Sequence, residues 1–276
     1  FHFDQVYLDM AMREPLLTCF LNASVCAARC EGGRIRSLRA LQLRAEKYLE
    51  IEAPVFIDCT GDGTLGYLAG AEYRVGREAK GDTGERYAPA AADAKTMGAT
   101  LLFTSVDVGH PVPYTAPPWA IQLETLASFP RLSKSIGTMP DGTYYGFWWA
   151  EYGGELDSIH DDGEVIMHLR RLVAGIWDHI KNSGKFPGSA NLEMNWMGTL
   201  PGKRESRRLM GPTVATAHDF LSQRRFDDAI GYAGWPIDIH PPAGYQALEP
   251  GCTHDYLPGI SDIPFGCIHS RNVANL

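Results

Sequence analysis

Asp238 and His240, in the stretch DIH, stand two residues apart, so an extended chain projects both from one side. A carboxylate beside an imidazole orients the ring and raises its proton affinity, which is what a general base needs. Pro241 and Pro242 stiffen the chain that follows. A histidine bonded for structural reasons alone fits the same residues. A second candidate is GKRESRR, residues 202–208, where Lys203, Arg204, Arg207 and Arg208 surround Glu205. Such a run is ordinarily a solvated face. Here NWMGTLP precedes it and LMGP follows, and an arginine in apolar surroundings could stabilise an anion or clamp an acidic or hydroxyl-bearing substrate. The catalytic candidates are therefore His240, Arg204, Arg208 and Glu205. Tyr144, Tyr145, Trp148 and Trp149 could line a sugar-sized or planar pocket, or pack a core.

A third stretch, FIDCTGDGTLGYLAGA at residues 56–71, runs from an apolar segment into two glycines flanking an aspartate and then into small residues. Read as a calcium loop, it puts Asp58, Thr60 and Asp62 at positions one, three and five with Gly63 at six, but Ala69 stands where a bidentate glutamate belongs. Read as a plain turn, Gly61 and Gly63 end a strand. Read as a strand, a glycine turn and a helix opening at Thr64 or Leu65, it offers backbone amides and a positive helix end to a nucleotide.

The elements that must position these residues follow from periodicity. Leu16 to Asp58 reads as an antiparallel meander, with a hairpin turn at Glu31-Gly32-Gly33-Arg34. Its last apolar run, VFID at residues 55–58, is expected to be a central strand buried on both faces. A polar, glycine-rich stretch from Gly76 marks a boundary. Asp162 to Lys181 is predicted to be an amphipathic helix presenting Val165, Ile166, Leu169, Leu172, Val173, Ile176, Trp177 and Ile180 on one side. Asp161 or Asp162 is its expected cap, and Gly184 marks its end. A second helix is predicted over TVATAHDFLSQRRF, residues 213–226, with Pro212 in its first turn.

Composition bounds the rest. The 276 residues, 45% of them hydrophobic, can build a sizeable core. The 33 acidic residues outnumber 25 lysines and arginines, and the resulting charge of -8 disfavours attraction to nucleic acid or anionic lipid. No segment reaches the roughly 18–20 apolar residues of a membrane helix. The first residues, FHFDQVYLDM, lack the order of a secretory signal, so a soluble protein is expected, its compartment and oligomeric state open. The six cysteines form no CxxC pair and read as reduced core residues, with no metal site expected among them.

VFIDCTGDGTLGYLAGAEYRVGRE, residues 55–78, resembles the strand and TGDG turn that closes the FAD-binding domain of FAD-dependent oxidoreductases built on the glutathione-reductase-type fold. WWAEYGGELDSIHD, GIWDHIKN, LPGKRESRRLMG and GWPIDIHPPAG resemble further blocks of one branch of that family, in the same order. The resemblance implies a mixed α/β (α+β) fold, FAD as cofactor and a small-molecule substrate, with hydride transfer to flavin N5. It places Val25 against the adenine, and Thr60, Gly61, Asp62 and Gly63 near the adenosine end. It also implies an amino-terminal βαβ unit with a GxGxxG turn and a carboxy-terminal segment reaching the flavin, neither of which is read in this chain. The expected organisation is the rear half of an FAD domain over 1–76, a substrate domain over 77–262 and a return to the FAD domain over 263–276, a central portion expected to hold FAD weakly by itself. Two rival readings remain from the residues: a protein that binds or cleaves acidic polysaccharide, and a flavin-free binding module.

Overall fold

The structure, a computed structural model, describes residues 2–134 and 150–276, and between them the backbone of two short strands, Gly137–Thr138 and Tyr144–Tyr145. Trp148, Trp149 and the side chains of Tyr144 and Tyr145 lie outside the described residues. Helices and antiparallel strands mix in small sheets, the mixed class that was expected. The chain divides into two compact units, Phe1–Glu72 with His269–Leu276, and Tyr73–Ile268.

The first unit opens with helix α1 (His2–Arg13), which the sequence reading did not foresee and which buries none of its residues. The meander follows as β1 (Ala23–Glu31), β2 (Arg34–Gln42) and β3 (Lys47–Glu52), paired antiparallel in that order. Gly32 and Gly33 both take positive φ, +59° and +70°, the twist a two-residue hairpin needs. Glu31 pairs with Arg34 across that turn, as the sequence predicts. Ile35, Ser37, Leu38 and Ala40 bury the sheet's inner side.

The strand expected at residues 55–58 does not form. Val55 and Ile57 are 64% and 82% exposed, and Phe56 alone is buried. A strand buried on both faces needs a neighbour to complete its ladder. Among the described residues no strand pairs with this run; instead the Phe56 N–H donates to the Asn275 carbonyl at 2.9 Å. The Asn275 side chain accepts from the Ile35 N–H at 2.9 Å and donates to the carbonyls of Ile35 and Pro54, which fastens the last residues of the chain to β2. Asn272 does the same for the segment after α2 (Thr64–Leu68), accepting from the Glu72 N–H and donating to the Gly70 carbonyl.

In the second unit, β4 (Ala99–Thr100) pairs with β6 (Glu151–Tyr152), and β5 (Phe103–Asp107) with β7 (Leu192–Met197). Helix α3 (Asp162–Asn182) spans the predicted segment and buries Val165, Leu169, Leu172, Val173, Ile176, Trp177 and Ile180 against Leu101, Leu123, Leu132, Ala150 and Tyr245. Burial of such side chains contributes about 1.5–3 kcal/mol each, so this face holds the unit together. Gly184, at φ +72°, lies just beyond the helix end. The expected cap is corrected: Asp161 occupies the cap position, but its carboxylate accepts from the Asp157 N–H and makes no bond to the helix.

The second predicted helix is shorter than its pattern. Helix α4 covers only Ala217–Leu221, started by Thr216 and Asp219, whose side chains satisfy each other's backbone in a capping box. Pro212 therefore lies upstream of the helix, not in its first turn, and Gln223 at φ +53° turns the chain away soon after it. The unit closes with β8 (Ala229–Ala233), β9 (Ile237–Ile239), β10 (Thr253–Asp255) and β11 (Ser261–Pro264), with β8 paired to β11 and β9 to β10. The six cysteines are all free, but they are not core residues: five are exposed and Cys267 is half-buried.

Candidate active site

The glycine turn of the first unit is built by its own side chains. Asp58 Oδ1 accepts from the Thr60 N–H at 2.9 Å and the Thr60 hydroxyl at 2.7 Å, and Oδ2 accepts from the Gly66 N–H at 2.8 Å. Thr60 Oγ1 in turn accepts from the Thr64 N–H at 2.7 Å. Two amides at the start of α2, expected to be free for a nucleotide, are thus capped from within the chain. Residues 61–66, GDGTLG, do carry GxGxxG spacing, which the sequence reading passed over; the irregular segment before it and the five-residue helix after it are not the strand and long helix of a dinucleotide unit.

What remains open is the outer surface of the bend. Thr60 and Gly61 are exposed, Gly61 has φ +82°, and a Cβ added there would meet no atom within 4 Å. Val25 is half-buried on β1, the strand against which α2 packs. Asp58→Ala removes the acceptor for three donors and is expected to cost about 2 kcal/mol, a lost cap plus charge-assisted bonds, read from urea unfolding. Asp58→Asn keeps one acceptor oxygen and loses less.

The second unit gathers charge around one buried carboxylate. Glu151, on β6, is 1% exposed and its backbone pairs with Thr100 on β4. Its Oε1 lies 3.0 Å from Arg204 Nη1 and 2.8 Å from His240 Nδ1, and Arg204 Nη2 donates to Thr100 Oγ1 at 3.0 Å. Arg204 Nη1 is also 3.3 and 3.4 Å from the two nitrogens of the His240 ring. His240 Nε2 is 3.1 Å from Asp238 Oδ1, so the ring is set between two carboxylates. The bond to Glu151 raises the proton affinity of His240 above its ordinary value; burial opposes this, and Asp238 adds to it. Asp238 stands beside a third group, His254 Nε2 at 2.9 Å, and Cys252 joins this cluster.

Glu205 and Arg208 go elsewhere. Arg208 Nη1 donates to Glu205 Oε1 and Nη2 to Glu78 Oε1, both at 2.8 Å, while Glu205 Oε2 accepts from the Met97 N–H at 3.1 Å. Burial works to raise the Glu78 carboxyl, but a backbone hydrogen bond and Arg208 outweigh it and hold the group below its ordinary value. Arg208, Glu205 and Glu78 line a cavity of about 740 Å³, within the size range of small-molecule sites. Ile237 and Ile239 form part of its wall, and neither Arg204 nor His240 lines it.

The four catalytic candidates therefore separate into two pairs: Arg204 with His240 at Glu151, and Glu205 with Arg208 at the cavity. The charged run is not a solvated face, since no residue from Lys203 to Arg208 is exposed; Lys203 lies 3.8 Å from Asp162, and the Arg207 guanidinium sits 5.8 Å from the Tyr73 ring centre. Sequence reasoning missed Glu151. Its signal was a lone carboxylate between Ala150 and Tyr152 at the end of an aromatic run, which only burial turns into a site.

No curated protein and no solved structure matches the chain. The family model for FAD dependent oxidoreductase matches residues 2–276, the whole described length. The chain belongs to the FAD dependent oxidoreductase family, whose cofactor is FAD and whose role is flavin-linked oxidation and reduction.

Proposed function

We propose that the cavity of the second unit binds a small, neutral, hydroxyl-bearing organic substrate, of the carbohydrate or polyol class, for oxidation by FAD. One observation carries the choice of a neutral substrate over an acidic one: each arginine lining the cavity is already matched by a carboxylate. Arg208 is paired with Glu78 and Glu205, Arg77 with Asp93, and Arg86 with Asp255 at 3.6 Å. An incoming carboxylate would have to displace one of these partners. Hydroxyl groups, which both donate and accept, can bond to the paired charges as they stand. Phe220 and Tyr256 add aromatic surface on which a sugar ring can rest.

The turn fits the adenosine end of FAD, because the exposed bend at Thr60 and Gly61 leaves room where a side chain would otherwise stand. Val25, Thr60, Gly61, Asp62 and Gly63 would hold that end. The chemistry FAD supplies when bound is two-electron redox, taken up from a substrate carbon as a hydride at N5. The cavity residues bind and orient the substrate hydroxyls, and the apolar wall of Ile237, Ile239 and Phe220 excludes water around the reacting carbon. Glu205, held by Arg208 and the Met97 amide, would accept a hydrogen bond from the hydroxyl under oxidation and take its proton as the hydride leaves the carbon. Arg204 and His240 act in this reading by fixing β9, the strand whose other side chains form the wall. The pairing of the arginines also speaks against the acidic-polysaccharide reading.

The test is anaerobic reduction of the flavin-loaded protein, followed by loss of its yellow absorption, with neutral sugars and polyols compared to the corresponding sugar acids. Neutral compounds are expected to reduce the flavin faster. Glu78→Gln frees a guanidinium edge of Arg208 and is expected to improve kcat/KM for the acids about tenfold, the worth of one charge-assisted hydrogen bond. A wild-type preference for the acids would overturn the assignment.

A further inference from the structure

We propose that Asp238, Cys252 and His254 form a binding site for one divalent cation of the zinc class, a feature independent of the flavin chemistry above. Strand pairing builds it. In the antiparallel pair β9 and β10, Asp238 is opposite His254 and Ile239 opposite Thr253. Residues two apart on a strand share a face, so Cys252 and His254 stand on the side that carries Asp238. Cross-strand neighbours place their Cβ atoms about 5 Å apart, close enough for short side chains to meet at a point. One donor atom from each of the three lies within 4.8 Å of the others. A tetrahedral zinc, with bonds of about 2.0–2.3 Å, keeps its donors about 3.3–3.8 Å apart, so the side chains need shift by only about 1 Å.

A second observation points to a missing ligand. Asp238 Oδ1 is buried and accepts no well-aligned hydrogen bond among the described residues, although His254 Nε2 is 2.9 Å away and His240 Nε2 3.1 Å away. Two ring nitrogens therefore approach one carboxylate oxygen without the alignment of a good hydrogen bond. A buried oxygen without a partner is costly, and a cation between the carboxylate and the imidazole lone pair supplies one.

The donor set selects the ion. Thiolate and imidazole suit zinc and disfavour magnesium or calcium, which require oxygen. Three protein ligands leave the fourth tetrahedral position to water or another donor. Cys252 and His254 are exposed, so the ion enters from solvent. Binding replaces the Cys252 S–H bond with a sulfur–metal bond and releases that proton to solvent. His240, with Nδ1 on Glu151 and Nε2 3.1 Å from Asp238 Oδ1, stands behind the ligating carboxylate.

The test uses the whole chain, stripped with a chelator and titrated with Co2+. One equivalent is expected to produce a thiolate-to-cobalt band in the near ultraviolet and tetrahedral bands in the red, both removed by one equivalent of Zn2+. Cys252→Ser abolishes the near-ultraviolet band, and Asp238→Asn or His254→Gln weakens Zn2+ binding at least about tenfold, whereas Cys267→Ser changes neither. X-ray absorption of the zinc-loaded wild type, which depends on no variant folding, is expected to find one sulfur and otherwise nitrogen or oxygen neighbours. A cobalt spectrum that survives Cys252→Ser, or a zinc shell without sulfur, overturns the proposal.

Discussion

Glu151→Ala is expected to destabilise the protein by about 3–5 kcal/mol, the cost of leaving a buried charge without its partner. The carboxylate it removes is 1% exposed and stands within 3.0 Å of both Arg204 Nη1 and His240 Nδ1. Without it the guanidinium keeps Thr100 Oγ1 and the His240 ring but has no carboxylate against its charge among these contacts. Two further variants separate charge from shape. Glu151→Gln retains an acceptor and fills the volume, so its loss is smaller. Adding Arg204→Met to Glu151→Ala removes the orphaned charge, and the double variant is expected to recover a substantial part of the loss, since neighbours in one network are not additive. Chemical denaturation of the four proteins measures this. A Glu151→Ala loss under about 1 kcal/mol would mean that the site is wet and the network is a surface feature.

Gly175→Ala has the second large effect, and its sign opposes intrinsic propensity. In a helix interior alanine is favoured over glycine by about 1 kcal/mol. At this position a Cβ would lie 1.9 Å from the Ile121 carbonyl oxygen and 2.9 Å from its carbon, and a backbone carbonyl cannot swing aside as a side chain would. Residue 121 is held there because its N–H donates to the Arg171 carbonyl of the same helix at 3.0 Å. Either α3 or the crossing segment must move, which parts Leu169, Leu172 and Ile176 from the core. A loss of about 3 kcal/mol is expected, at the upper end for overpacking. Gly163, in the first turn of α3, is the control: a Cβ there meets nothing within 4 Å, and Gly163→Ala is expected to gain up to about 1 kcal/mol. Thermal and urea midpoints that shifted together in the two variants would show that the helix does not discriminate between these positions.

Periodicity and turn chemistry made some elements readable from the amino-acid order. The apolar stripe from Val165 to Ile180 specifies a helix and the face it buries, and two adjacent glycines after Glu31 specify a hairpin. These signals are local, because the residues that carry them touch one another within a turn or across one hairpin. The TGDG bend was legible as a turn for the same reason, although Asp58 capping its own helix was not. The run at Val55–Asp58 misled because a buried strand and an exposed extended segment have the same composition; only neighbouring strands distinguish them.

The sites divide along the same line. Arg204, Arg208, Glu205 and His240 stood out as residue types, but nothing in their order says that the first pairs with His240 and the second with Glu78. Glu151 is 53 residues from Arg204 and 89 from His240, and Cys252 meets Asp238 only through the pairing of two short strands. The amino-acid order by itself determined which charges exist and which segments are helical or hairpin-like. Tertiary structure decided which charges meet and which are dry, because the energy of an ionic group depends on its partner and its solvent, and both come from chain far away in the sequence.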